Sequence, residues 1–156
     1  MRTTWLPPPA VTLLCAWAMW GIAGAPAWSG LLLGPQNWGW SQRAGVLVWC
    51  VALLLMVLAL SAMLAMRTTP NPIAPEQATV LVQTGLFSVS RNPIYVADAM
   101  VLMGWAAWLA NGLALLVLPV FVGYITTMQI RAEEQALSTV FGDDYHAYCQ
   151  RVRRWV

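Results

Sequence analysis

The sequence predicts an all-α integral membrane bundle of about four transmembrane helices with a cytoplasmic C-terminal helical tail, forming one membrane domain over residues 1–156. Three observations predict it. Hydrophobic residues make up 60% of the chain and charged residues only 9%, whereas roughly 25% charged is usual for a soluble globular domain. The apolar residues gather into stretches long enough to cross a hydrocarbon core. Seven of the eight basic residues, all arginines, fall on one side of the resulting topology.

The first stretch, 10–33, is long enough to span, and Gly24 and Pro26 predict a kink or a tilted half. Arg2, the apolar run and Ala23-Gly24-Ala25 have the outline of a cleavable signal. Three consecutive prolines (Pro7, Pro8, Pro9) and a second, longer hydrophobic run argue for a first membrane helix instead. The second span, 44–66, carries no charge and a single hydroxyl, Ser61. Composition then turns polar over 67–92, with Pro70, Pro72, Pro75 and Gly85, and the chain must leave the bilayer. From Pro93 to Ile130 it is apolar again and too long for one helix. Asn111-Gly112 near the middle predicts a tight turn between spans 93–110 and 113–130, and Pro93 suits a first helical position.

Arg2, Arg67, Arg91, Arg131, Arg151, Arg153 and Arg154 lie on one face of this bundle and Arg43 on the other. The arginine-rich face is expected to be cytoplasmic, with both termini inside, as in a multi-pass protein of a bacterial inner membrane. The tail, 131–156, is expected to continue the last membrane helix as far as Gly142. A short helix from Asp143 follows, with Tyr145, Tyr148 and Val152 on related faces. Trp5, Trp38, Trp40 and Trp155 are placed as interfacial anchors. Cys15, Cys50 and Cys149 lie far apart and read as packing residues. His146 stands outside any ligand cluster, so no metal is expected. A net charge of +2 gives no argument for nucleic acid. No obligatory protein partner is implied; Gly45 and the small residues of the first span suit helix packing within one chain or between chains.

Two features carry chemical potential. One is the loop from Gly85 and Leu86 to Arg91-Asn92-Pro93-Ile94-Tyr95, which sets a cation beside the open N–H groups of a helix N-terminus. That pairing suits an anionic group such as a carboxylate. The other is Arg131 with Glu133 and Glu134, where the fourth span emerges on the same face. Arg91 equally fits a positive-inside residue, and Glu134 equally fits a partner for Arg131 one turn back. Arg131 faces the same expected pocket mouth as Glu134. Arg151, Arg153 and Arg154 could meet a substrate carboxylate, although Arg153 and Arg154 read more simply as contacts to anionic lipid. Asp98, one turn beyond Tyr95, is an intramembrane carboxylate. It fits either a functional group receiving a lipid amine or its proton, or a snorkelling residue near the interface.

Taken together, Leu81-Val82-Gln83-Thr84-Gly85-Leu86-Phe87, Arg91-Asn92-Pro93-Ile94-Tyr95, Glu133-Glu134 with Leu137, Phe141-Gly142 with Tyr145 and Tyr148, and Val152-Arg153-Arg154-Trp155 resemble the isoprenylcysteine carboxyl methyltransferase and phospholipid methyltransferase superfamily. Pro70-Asn71-Pro72-Ile73-Ala74-Pro75 looks like the proline-bearing lead-in of bacterial members. The resemblance implies an integral membrane methyltransferase that uses S-adenosylmethionine without a Rossmann domain. Its cofactor pocket would draw on Gly85, Leu86, Arg91, Asn92, Pro93, Tyr95, Glu133 and Glu134. Asn92 replaces a histidine of the family pattern. It can still donate and accept hydrogen bonds but cannot titrate near neutrality.

The expected activity is methyl transfer to a lipid-soluble acceptor at the cytoplasmic face, with Arg131, Glu134 and Asp98 as catalytic candidates. The acceptor would be a phospholipid headgroup amine or a small apolar carboxylate or thiol arriving from the membrane. The alternatives are a prenylcysteine carboxyl methyltransferase, a non-catalytic membrane protein, and an NADPH-dependent membrane reductase of related architecture.

Overall fold

The computed structural model describes residues 6–24, 35–66 and 80–156, and the described residues fold into helices joined by short turns. Arg2, Trp5, Pro26, Arg67 and the proline stretch at 70–75 lie outside the described residues.

Helix α1, Pro8–Ala23, starts with Pro8 in its first turn and stops at Gly24, whose φ of 58° turns its N–H onto the Trp20 carbonyl. The helix thus ends within the span expected over 10–33, and the part of that span beyond Gly24 lies outside the described residues. Glycine enters the left-handed region without a Cβ penalty, so Gly24 ends the helix rather than bending it. Helix α2, Trp40–Ala65, begins before the expected position 44 and takes Arg43 into its first turn. The Arg43 guanidinium bonds the Trp38 carbonyl and lies over the Trp40 ring.

Helix α3, Pro93–Trp108, ends at a turn in which Ala110 takes a φ of 51° and Asn111 accepts the Leu113 N–H on its side chain. The expected Asn-Gly turn is thus present. Helix α4 then runs without interruption over Gly112–Phe141. Its residues 125–130 form a π-helical segment, Ile125–Ile130, inside the α-helix. Gly142, at a φ of 52°, breaks the chain into α5, Asp143–Arg151, as the sequence predicts.

Helices α2 and α4 are each long and apolar enough to cross a membrane. Helices α1 and α3 have 16 residues each, about 24 Å at the α-helical rise. Leu13, Trp17, Leu47, Leu53, Leu116 and Val120 point outward and are exposed, a pattern that suits lipid around the bundle and would be a liability in water.

Inside, Phe121, Met19, Leu102, Ile125 and Ile130 are fully buried. The tightest contact joins α2 to α3 through glycines. A Cβ on Gly45 would lie 2.7 Å from the Gly104 carbonyl oxygen, and one on Gly104 would lie 2.5 Å from the Trp49 ring. Backbones approach this closely only where side chains are absent. The glycine contact therefore serves packing within the chain. Trp49 fills the space beside it, stacked on Trp105 and Trp108 and donating to the Val101 carbonyl at 3.0 Å. Trp105 in turn donates to the Ala16 carbonyl at 2.9 Å and ties α1 to α3. Trp38 packs edge-on against Trp108, whereas Trp40 is almost fully exposed and keeps an anchor's placement.

Gly104→Ala is expected to lower stability by about 1–3 kcal/mol, because the ring it meets is held by two stacked neighbours and cannot shift freely. Gly21→Ala, with nothing within 4 Å of the new Cβ, should be neutral or slightly stabilising. Thermal unfolding of the two variants in detergent checks the contrast.

Candidate functional site

The chemistry-bearing residues converge where the 80–92 segment, the start of α3, the emergent end of α4 and the C-terminal segment meet. Gly85, at a φ of 61°, opens a short turn, Gly85–Ser88. Phe87 in that turn is buried with Ala59 and Val82, fixing the loop on the end of α2. The Tyr148 hydroxyl donates to the Phe87 carbonyl at 2.6 Å, which pins α5 to the same loop. Tyr145, Tyr148 and Val152 are buried together, with Leu137 and Phe141 packed against them.

Arg91 emerges from this loop with its side chain only 13% exposed. Its Nη1 lies 3.2 Å from Glu134 Oε1 and also donates to the Cys149 sulfur. Cys149 therefore makes a polar contact as well as a packing one. Arg154 grips the same carboxylate from the other side, Nε to Oε1 at 2.9 Å and Nη2 to Oε2 at 2.7 Å. That fork is the strong bidentate form of the arginine–carboxylate pair. Two guanidiniums share one carboxylate, so the cluster retains one unbalanced positive charge. The Arg91 Nε is buried and finds no acceptor among the described residues. Beside the cluster, α3 begins with an N-terminus that Asn92 does not cap with its side chain. Unbalanced charge, a spare donor and an open helix N-terminus all favour a small anion.

A second, acidic half adjoins it. Tyr95 donates to Glu133 Oε1 at 2.5 Å, joining the first turn of α3 to α4 just past its apolar stretch. Burial raises the Glu133 carboxyl to about 7, partly offset by the Tyr95 hydrogen bond, and the neighbouring Glu134 charge raises it further. Asp98 is half-buried one turn deeper on α3. Among the described residues it has no hydrogen-bond or ion-pair partner.

The structure thus brings Arg91, Asn92, Tyr95, Glu133 and Glu134 together, with Pro93 buried at the head of α3. Gly85 and Leu86 lie back along the turn and shape the loop. Arg131 does not reach Glu134: it is exposed, while Glu134 turns to Arg91 and Arg154. Arg154, read from sequence as a lipid contact, is the residue that takes this place. Its Glu134 hydrogen bond holds its pKa above the ordinary arginine value. Trp155 is no free interfacial anchor; its indole donates to Thr126 Oγ1 at 3.1 Å. Arg151 bonds Gln83 Oε1 at 2.8 Å, and His146 is exposed beside Ser138. An apolar cleft of about 300 Å³, lined by Met103, Ala106, Ala107 and Leu115 among others, opens at the opposite end of α3 and shares no residue with this cluster.

A model of the phospholipid methyltransferase family matches residues 40–144. The chain belongs to that family. The match covers α2, α3, α4 and the first residues of α5, and so includes Arg91, Tyr95, Asp98, Glu133 and Glu134. An uncharacterised protein of Haemophilus influenzae is 41% identical over 63 residues, 40% of this chain and all of that protein. No solved structure matches the chain. Membership makes the protein a methyltransferase by family, and its apolar helices associate it with a membrane.

A carboxyl raised from its ordinary 4.5 to about 7 binds its proton more tightly in the folded state than in the unfolded one. Its contribution to stability is therefore fully present below about pH 4.5 and is lost as pH rises to about 7. Glu133→Gln should remove that loss. The difference in melting temperature between wild type and variant, followed from pH 4.5 to 8, should drift in favour of the variant and then level off.

Proposed function

We propose that the protein transfers a methyl group from S-adenosylmethionine to a lipid-soluble acceptor at the cytoplasmic face of a bacterial inner membrane. In this reading α1 to α4 make four crossings and both termini are cytoplasmic. Arginine asymmetry supports the orientation. The hydrocarbon core is about 30 Å thick, so the 16-residue α1 and α3 would cross with help from their flanking turns.

The observation that carries the reading is the two-part charge pattern. S-adenosylmethionine presents a carboxylate, an ammonium, ribose hydroxyls and a sulfonium. The Arg91 side, with its buried unpartnered Nε beside the start of α3, fits the carboxylate. The Glu133 side, with Tyr95, fits hydroxyls or a cationic centre. The residues present therefore suit the cofactor, and Arg91, Tyr95 and Glu133 are the groups that would hold it. Glu134 is committed to two arginines, and its role is to set Arg91.

When bound, the cofactor supplies a methyl carbon activated by the sulfonium. The protein's part is alignment and exclusion of water. The acceptor is a phospholipid headgroup amine or a small apolar carboxylate or thiol, reaching the site sideways from the lipid. An amine must be deprotonated before it attacks, whereas a carboxylate or thiolate needs no base. Asp98, half-buried on the membrane side of Tyr95 and without a partner among the described residues, is the group that would receive an ammonium or its proton.

Calorimetry with S-adenosylmethionine and S-adenosylhomocysteine tests the cofactor: wild type should bind both and Arg91→Ala should bind neither measurably. A folded wild type that binds neither would sink the reading. Transfer of labelled methyl into a lipid extract then identifies the acceptor. Asp98→Asn should lower turnover by about 10²-fold or more, the scale of general acid–base catalysis, with cofactor affinity nearly unchanged. Turnover equal to wild type would remove Asp98 from the mechanism.

A further inference from the structure

Beyond α5 the chain becomes an extended strap from Val152 to Trp155, outside the residues that the family model matches. The strap runs parallel to the loop and bridges Ser90 to Arg153, with the Arg91 N–H on the Arg153 carbonyl at 3.0 Å. Asn92 makes the next link: its Nδ2 donates to the Arg154 carbonyl at 2.9 Å, while its own N–H is taken by Ser90 Oγ at 3.1 Å. The Arg154 side chain then forks onto Glu134, and Trp155 bonds Thr126 in the π-helical segment of α4.

We propose that Asn92 is a positioning residue: it fastens the C-terminal strap so that Arg154 and Arg91 meet on Glu134, and it does not itself touch the cofactor. An asparagine NH₂ carries two N–H donors beside its carbonyl, and one of them is committed to the strap. Among the described residues, the Asn92 amide is the hydrogen-bond donor on the Arg154 carbonyl. The links run from the Asn92 amide to the Arg154 main chain, from the Arg154 guanidinium to Glu134, and from Glu134 to Arg91. The asparagine that stands in the histidine's place in the family pattern is therefore a mechanical tie, and the strap is a wall of the site. This rests on the cleft being the cofactor site.

The test uses the full chain in detergent and two readouts. Tryptic cleavage after Arg151 and Arg153, without ligand, reports whether the strap is docked. Calorimetry with S-adenosylhomocysteine reports the site. Asn92→Ala and Asn92→Asp should both speed strap cleavage and weaken binding by about three- to tenfold, the scale of one lost buried hydrogen bond. Arg154→Gln should do the same from the other end of the linkage. The double variant Asn92→Ala/Arg154→Gln should be no weaker than the weaker single variant, because both cut one chain of contacts. Weaker binding by Asn92→Ala with unchanged cleavage would overturn the proposal in favour of direct contact with the cofactor. No change in either readout would overturn it outright. If Asn92→Ala does not accumulate in folded form, Arg154→Gln decides by the same two outcomes. A wild type that binds no S-adenosylhomocysteine would overturn the cofactor reading, whereas the cleavage readout would still report the tie.

Discussion

Glu134 is one carboxylate held by two guanidiniums from distant parts of the chain, and the charged end of the molecule is organised around it. Arg91 reaches it from the loop before α3, and Arg154 reaches it from the last residues of the chain. A partly buried ion pair is a poor source of net stability, since each charge gives up water to enter it. Removing one partner is a different matter, because the remaining charges stay where they are. The loop, the end of α4 and the C-terminal residues, which also meet in the apolar cluster of Leu81, Leu137, Phe141 and Val152, are thereby held in one register, and a spare positive charge is left facing the start of α3.

That register depends on the bundle beneath it. The glycine contact between α2 and α3 brings two backbones close, and Trp49 locks beside it. Trp105 carries the constraint on to α1. The π-helical segment of α4 lies between this packed region and the two glutamates. A π-turn takes in an extra residue, so every side chain beyond it is turned by about 100° relative to an uninterrupted α-helix. Glu133 then faces Tyr95 and Glu134 faces the two arginines, while Arg131 at the exit of the segment is left outside. The same segment supplies Thr126 to the Trp155 indole and Gln129 to the Leu6 carbonyl. Leu6 and Trp155, near the two limits of the described residues, are thus both fastened to the π-helical stretch of the longest described helix.

Much of this was legible from residue order. Gly142 and Asn111-Gly112 marked real breaks, and Pro93 marked the head of α3. The loop arginine and the paired glutamates were visible as a constellation. What sequence could not resolve were choices between partners. Arg131 stands three residues before Glu134 and looked like its natural mate, yet the exposed arginine is passed over for two that are distant in the chain. Arg154 and Trp155 read as membrane contacts because tail residues beside a bilayer usually are, and no periodicity marks an extended strap whose partner lies 62 residues earlier. Gly24 illustrates a local ambiguity: the same glycine permits a kink or a stop, and only the fold selects the stop.

The identity of residue 92 bears on the proton chemistry of the site. An asparagine cannot titrate, so this position offers no acid or base near neutrality. Burial brings the Glu133 carboxyl to about 7, against the lowering effect of the Tyr95 hydrogen bond. The capacity to change charge at physiological pH therefore lies on α4 rather than on the loop. An arginine side that stays charged and a glutamate side poised near neutrality divide the work: one holds a permanent anion, and the other can respond to the charge placed beside it.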